Sequence, residues 1–569
     1  MDLSKAIKLE SSTDFVPINN HFKLYAGPGA GKTTFLTNHI YRILKQSNKI
    51  NKAKKIACIT YTNIGVETLQ SRLEKTNGDV ETTTIHSFLY KHIVKPYLWT
   101  MEDCPFPVEL LDGHDEVKLS RSLLQKFKEK SKSLYFKEDL NSDLSKALGK
   151  LTWCLENQSV VLKFLKPHHG KITEKSSVKK DSYMFYKEIC WENGLLSHDD
   201  VLYFAYVLLK QNDEIRRILR AKFPYILLDE FQDTSPLQAE IIKLIAEKEV
   251  VVGVIGDPCQ AIFSFQGTDG DLFDSFNLEG MSLYYLDKNH RSTEQIISLL
   301  NHMRSERDFD QVGPENKNGE LPVLLIGNSF AAHRYVSNAL GYNSFCTLAY
   351  KNNEANALKY DFKGNTVMEI DFTLKDNNRG WIIYFVVHAI EYAKQMKLKE
   401  AIKFMRKAYR KSKGFTDKEA FSNLKRLLGT YHIYSEGNMK EFYNDYIFGN
   451  YGVKEKISKG KMNSYYGELF YKRMATEVKI ADDTSLYKTI HKSKGDEFEN
   501  VLLVLPNSDE RKNLEFLLSP DLSKEAHRVY YVALSRAKEK LYINLPNISD
   551  GTLKKLEHLK IKHFNLVNE

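Results

Sequence analysis

The stretch AGPGAGKTT, Ala26 to Thr34, constrains this chain more than any other part of it. Gly27, Gly29 and Gly31 let the backbone turn through conformations closed to residues with a Cβ. Lys32, Thr33 and Thr34 follow directly, which is the make-up of a phosphate cradle. Before it, HFKLYA alternates like a strand; after it, KTTFLTNHIYRILKQ sets Leu36, Ile40, Ile43 and Leu44 on one helical face. Strand, glycine loop and helix in that order are the context of a P-loop, in which backbone N–H groups and the helix N-terminus wrap phosphates. Gly27, Gly29, Ala30, Gly31 and Thr34 then belong to the nucleotide cradle, Lys32 reaches the terminal phosphates, and Thr33 coordinates magnesium. The position six before Lys32, where the pattern usually begins with glycine, is Ala26.

A P-loop calls for an acidic partner, and FPYILLDEFQDT supplies one. Tyr225 to Leu228 is a short apolar run of the kind that forms a buried parallel strand, and Asp229 and Glu230 stand at its carboxyl end, where α/β sheets place ligands. Asp229 is expected to hold magnesium and Glu230 to polarise the attacking water. A third strand, VVVGVIGD from Val250, leads into GDPCQAIFSFQGT and puts Gln260 where it can sense a terminal phosphate.

With 569 residues there is room for about four domains at roughly 150 residues each. Hydrophobic residues at 42% and charged residues at 27% argue against global disorder. The N-terminal MDLSKAIKLESSTDF has no signal-peptide core, and the longest apolar run, WIIYFVVHAI from Trp381, is shorter than the roughly 20 residues of a membrane span. A cytoplasmic chain with no membrane partner is expected. Six scattered cysteines without a CxxC pair suggest free thiols, not a zinc or iron–sulfur site. The net charge of +9 is matched by the window Lys394 to Arg426 alone, where twelve basic residues face Glu400, Asp417 and Glu419. Helical spacing of Ala401, Met405 and Ala408 between the charges predicts an amphipathic helix with a basic face. Such a face suits either a nucleic-acid backbone or plain solvent.

Seven segments, ITYTN, TIHSF, LLDEFQDT, GDPCQAIF, LDKNHRST, TIHKSKGDEFENV and RVYYVALSRAK, follow one another along the chain. In this order they resemble the motifs of the UvrD/Rep/PcrA-type superfamily-one DNA helicases, from about Leu24 to Leu541. The resemblance implies an α/β fold of two RecA-like parallel-sheet motor domains, each with a mainly helical insertion, and ATP with Mg2+ between them. It implies domain 1A at 1–90 and 196–285, insertion 1B at 91–195, domain 2A at 286–355 and 478–569, and a shortened insertion 2B at 356–477. Arg291 and Arg536 match the two arginines that reach across to the γ-phosphate, and Glu497 matches the acid that contacts the ribose. His290 stands where the family has an adenine-stacking tyrosine, Gln266 replaces an arginine and Asp496 a leucine, so selectivity for ATP is open.

For DNA, the resemblance implies contacts from Thr60, Tyr61, Thr62 and Asn63, from His86 and Ser87, from Phe263 and Phe265, and from His491. The phenylalanines serve equally well as core. The leading functional expectation is an ATPase stimulated by single-stranded DNA that translocates, usually 3′ to 5′ in this family, and separates duplex. A different class of function stays open: a nucleotide-responsive subunit controlling a separate nuclease, as in the helicase-like subunit of Gabija-type anti-phage systems. The short 2B and the absence of a fused nuclease after Tyr542 fit that reading.

Overall fold

The computed structural model describes the chain except residues 1–4, 77, 115, 116, 118, 134, 135, 138, 139, 248, 264–266, 268–270, 305–308, 316, 365–375, 377, 378, 413, 481–484 and 567–569. Two all-parallel sheets form its frame. In the first, seven strands lie in the order Ile7–Lys8, Ser282–Leu286, Phe22–Ala26, Val251–Gly256, Tyr225–Leu228, Ile56–Thr60, Val80–Thr84. In the second, six lie in the order Tyr487–Thr489, Cys346–Ala349, Phe498–Val504, Ala537–Leu545, Val323–Ile326, Lys562–Asn565.

Parallel strands covered by helices on both faces read as unbroken apolar runs. Tyr225–Leu228 and Val251–Gly256 are accordingly buried throughout. Phe22–Ala26 is buried throughout as well, not on alternate residues as HFKLYA suggests, because it lies inside the sheet between two neighbours. Gly253 has a packing reason: a Cβ there would lie 2.3 Å from the Phe22 ring. Behind the glycine loop, the helix Lys32–Gln46 buries Leu36, Ile40 and Ile43, with Leu44 half-buried.

The segment between Thr84 and Tyr225 is less uniformly helical than the insertion that the resemblance implies. Alongside helices such as Arg121–Lys130 and Tyr183–Glu192 it contains two hairpins, Leu151–Glu156 with Ser159–Phe164 and Lys171–Thr173 with Ser176–Ser177. The first turns on Asn157 and Gln158, both left-handed at φ 47° and 61°, the geometry a two-residue hairpin needs. Trp153 in that hairpin stacks on Tyr203 at 4.1 Å and lies parallel to Trp191.

Between Ala349 and Tyr487 the described residues form helices around a core of their own that includes Ile383, Met405, Leu424 and Tyr471. The basic window is several pieces, not one helix. It takes in the end of Arg379–Lys394, all of Leu398–Ala408 and most of Asp417–Gly429, the last two separated by a loop that turns at Gly414 with φ 79°. Ala401, Met405 and Ala408 do face the core. No helix among the described residues is long and apolar enough to cross a membrane.

Candidate active site

The glycine loop joins the centre of the first sheet to its helix. Gly29 and Gly31 are left-handed, at φ 71° and 84°, and Ala30 is buried. Gly31 caps the helix without any side-chain hydrogen bond, so the first-turn amides of Lys32–Gln46 have no side-chain acceptor. That arrangement is built for an anion. Lys32 Nζ lies 3.4 Å from the Ala26 carbonyl oxygen and 3.8 Å from Glu230 Oε1. The hydroxyl-bearing residues Thr33 and Thr34 begin the helix.

Asp229 and Glu230 follow the strand Tyr225–Leu228, which lies beyond Val251–Gly256 from the glycine-loop strand, and the Asp229 amide is tied to the Ile59 carbonyl at 2.8 Å. Glu230 adopts a left-handed backbone at φ 54°, a strained conformation for a residue with a side chain. Burial and the Glu230 charge push the Asp229 carboxyl up to about 7. Burial also acts to raise Glu230, but the charges of Lys32 and Lys494 outweigh it and hold Glu230 at about 2. Of the two carboxylates, Glu230 is the one that the neighbouring lysines hold ionised. Thr33 and Asp229 offer the hard oxygen donors that magnesium takes.

The second sheet contributes the opposite wall. Arg536, buried after the helix Glu525–Leu534, donates from Nη2 to Gln260 Oε1 at 2.9 Å and from Nη1 to the Asp496 carbonyl at 3.1 Å. Gln260 in turn donates to Asp257 at 2.8 Å. Burial and the Arg291 charge push the Arg536 guanidinium down to about 9, which leaves it cationic at neutral pH. Arg291 stands against the glycine loop, where a Cβ on Gly29 would come within 2.8 Å of its own Cβ. Its guanidinium donates to Glu497 at 2.9 Å and to the Ser535 carbonyl at 2.9 Å. Two residues expected to serve different tasks, one phosphate and one ribose, are thus an ion pair. His290 is exposed, and its amide donates to the Gly29 carbonyl at 2.9 Å.

A model of the UvrD/REP helicase N-terminal domain matches residues 10–279, and one of the UvrD-like helicase C-terminal domain matches residues 472–547. The chain belongs to the UvrD/Rep helicase family. It is similar to a probable DNA helicase II homolog of Mycoplasma capricolum, 28% identical over 57% of this chain and 45% of that protein. The ATP-dependent DNA helicase srs2 of Schizosaccharomyces pombe is 29% identical over 49% of this chain and 32% of its own length. The ATP-dependent DNA helicase Rep of Escherichia coli is 25% identical over 60% and 53%. The matched part of these curated relatives is between about a third and about half of their length.

Of the DNA-contact residues expected in this UvrD/Rep-family chain, three come together. Tyr61, after the strand Ile56–Thr60, stacks on Phe263 with ring centres 4.8 Å apart, and Phe263 lies 6.0 Å from His491. The cluster joins residues of the two sheets' connecting loops. Tyr350 extends it, 5.9 Å from His491. Phe263 is largely buried by this packing; Phe265 and Gln266 fall outside the described residues. Thr60 is buried, Thr62 caps the helix Asn63–Arg72 through its side chain, and Asn63 is exposed. His86 lies apart from the aromatic cluster, 5.9 Å from His198, and burial with the charges of His198 and His114 pushes it down to about 3.

Several residues at the site went unnamed in the sequence. Gln311 donates to the Pro28 carbonyl at 2.9 Å, and Asn289 sits where a Gly29 Cβ would be 2.3 Å away. Lys494 forms a buried ion pair with Asp233 at 2.5 Å. Both members of that pair, and Asn289, stand inside the seven motifs. Gln311 follows a stretch with no motif signal.

Proposed function

We propose that the chain is an ATPase stimulated by single-stranded DNA that moves along one strand and separates duplex. The observation that carries this reading is the meeting of Lys32 and Glu230 on the first sheet with Arg536 and Arg291 from the second. A machine that hydrolyses ATP between two lobes needs that division of labour, because closing the lobes completes the site and opening them disables it.

In this reading Gly27, Gly29, Ala30, Gly31, Thr33 and Thr34 cradle the phosphates, and Lys32 offsets their charge. Glu230, held ionised by Lys32 and Lys494, orients the attacking water. Thr33 and Asp229 would hold Mg2+, which when bound neutralises phosphate charge and lowers the Asp229 carboxyl from its raised state. Gln260 links Asp257 to Arg536 and so couples the nucleotide to the second lobe. Arg291 leaves Glu497 for phosphate when the lobes close, freeing Glu497 for the ribose, with His290 beside the base. Tyr61 and His491, backed by the buried Phe263, present aromatic surface to unstacked bases, which adds roughly 1–3 kcal/mol per base without reading sequence. Thr60, Thr62, Asn63 and His86 position the strand.

The deciding experiment is ATP hydrolysis by the purified chain with and without single-stranded DNA, followed by strand displacement on substrates with opposite overhangs. DNA-stimulated hydrolysis with displacement on one overhang is expected. Stimulation without displacement on either would move the assignment to a regulatory ATPase acting on a separate nuclease. Hydrolysis indifferent to DNA would overturn both.

A further inference from the structure

The helical segment between Ala349 and Tyr487 contains a cleft of about 610 Å³ lined by Trp381, Phe385, Tyr409, Phe415 and Tyr451, with Lys407, Arg410 and Lys411 also on its wall. That volume lies within the roughly 300–1,000 Å³ of small-ligand sites. Its aromatic residues come from three places: the helix Arg379–Lys394, the loop after Leu398–Ala408, and the turn at Gly452. Tyr409, Phe415 and Tyr451 pack against each other with ring centres 4.7 to 5.0 Å apart, and Trp381 lies 5.4 Å from Phe385. The loop is tied to the turn by a hydrogen bond from the Ser412 hydroxyl to the Tyr451 carbonyl.

Charge gives the cleft its direction. Arg410 and Lys411 are exposed and have no acidic partner among the described residues. Glu419, the one acid among the described lining residues, is engaged in its own helix cap, accepting from the Thr416 amide at 2.6 Å. Flat rings beside the exposed Arg410 and Lys411 match one ligand chemistry, a planar base carrying a phosphate. A purely structural aromatic core would not need cations gathered at its mouth.

We propose that this cleft binds a nucleotide unit, its base against Trp381 and its neighbours and its phosphate on Arg410 and Lys411. The site is separate from the glycine loop and goes beyond the motor assignment. Two sources can supply the unit, a free mononucleotide or the end of a single strand.

Trp381 itself reports occupancy through fluorescence. Adenosine monophosphate, which lacks the terminal phosphates that Lys32 serves, and a 5′-phosphorylated tetrathymidylate are titrated separately. A saturable quench that disappears in Trp381→Phe and weakens at least tenfold in the Arg410→Ala/Lys411→Ala double variant is expected, with DNA-free ATP hydrolysis equal in all three proteins. Tighter binding of the monophosphate assigns a free nucleotide as the occupant, and tighter binding of the tetranucleotide assigns a strand end. The proposal is overturned by no quench with either probe, by a quench that survives Trp381→Phe, or by an affinity that the double variant leaves unchanged. Failure here leaves hydrolysis as measured, whereas failure of the motor assignment shows in hydrolysis and displacement.

Discussion

Glu230 combines a left-handed backbone with a carboxylate that Lys32 and Lys494 hold well below its ordinary range beside Asp229. Glu230→Gln keeps the shape but removes the charge proposed to orient water, so hydrolysis should fall at least about a hundredfold, near 2.7 kcal/mol of barrier, while ATP still binds. Lys32→Ala should lose as much turnover and also weaken nucleotide affinity, since Lys32 is proposed to offset phosphate charge. Single-turnover hydrolysis with equilibrium nucleotide binding separates the two; near-normal turnover in either would unseat the site. Arg536→Ala and Arg291→Ala should each lower hydrolysis by a comparable factor, with binding of single-stranded DNA retained. Normal hydrolysis in both would mean that the second sheet contributes nothing to the chemistry.

At the scale of elements, the helix behind the glycine loop depends on a neutral histidine. His39 packs 4.9 Å from the Phe22 ring and stacks parallel to Phe35 at 5.9 Å, and burial with the Arg42 charge pushes it down to about 4. The unfolded chain therefore takes up this proton first as pH falls through about 6.5. The contribution is fully present above about 6.5 and is lost as pH falls toward 4, on the order of 3 kcal/mol in all. Denaturant unfolding between those pH values should show a shallower decline in His39→Leu than in the parent; identical slopes would remove His39 from the account.

The basic pieces from Lys394 to Arg426 form the other element with a measurable role. If they grip a phosphate backbone, reversing Lys403, Arg406, Lys407 and Arg410 to Glu should weaken DNA binding. Every phosphate that is no longer neutralised should also flatten the log–log salt dependence by roughly 0.7 to 0.9. Hydrolysis without DNA should be unchanged. An unaltered salt slope would return these helices to a solvated surface.

Across the whole molecule, the two sheets are pinned together by a residue far from any motif. Arg304, 1% exposed, donates to Tyr531 Oη at 2.9 Å and to Tyr25 Oη at 3.0 Å, and lies 3.4 Å from Asp257. Tyr25 leads into the glycine loop, Asp257 holds Gln260, and Tyr531 belongs to the helix that ends before Arg536. Removing one member of a buried pair strands the other charge, so Arg304→Met should cost about 3–5 kcal/mol of stability. Adding Asp257→Leu should recover part of that loss. Thermal unfolding of the single and double variants measures it, and additive destabilisation would show that Arg304 and Asp257 do not act as a unit.

The residues of the proposed nucleotide site were legible in the sequence because each sits in a local pattern. The glycine loop, Lys32, Thr33 and the Asp229–Glu230 pair are each set by a strand end and the residues just after it, and an apolar run followed by glycines or acids announces such an end. Parallel-sheet architecture followed from the same runs, although the full burial of Phe22–Ala26 came from its central place in the sheet. Hairpin Leu151–Phe164 was missed in a Lys- and Glu-rich context, where Asn157 and Gln158 were the only turn signal. Tertiary structure alone decided the long-range contacts: Arg291 on Glu497, Gln311 on Pro28, Arg536 on Gln260, and Arg304 between Tyr25 and Tyr531. Each joins residues hundreds of positions apart or stretches without a motif, and spacing along a chain carries no information about which surfaces two folded lobes bring face to face.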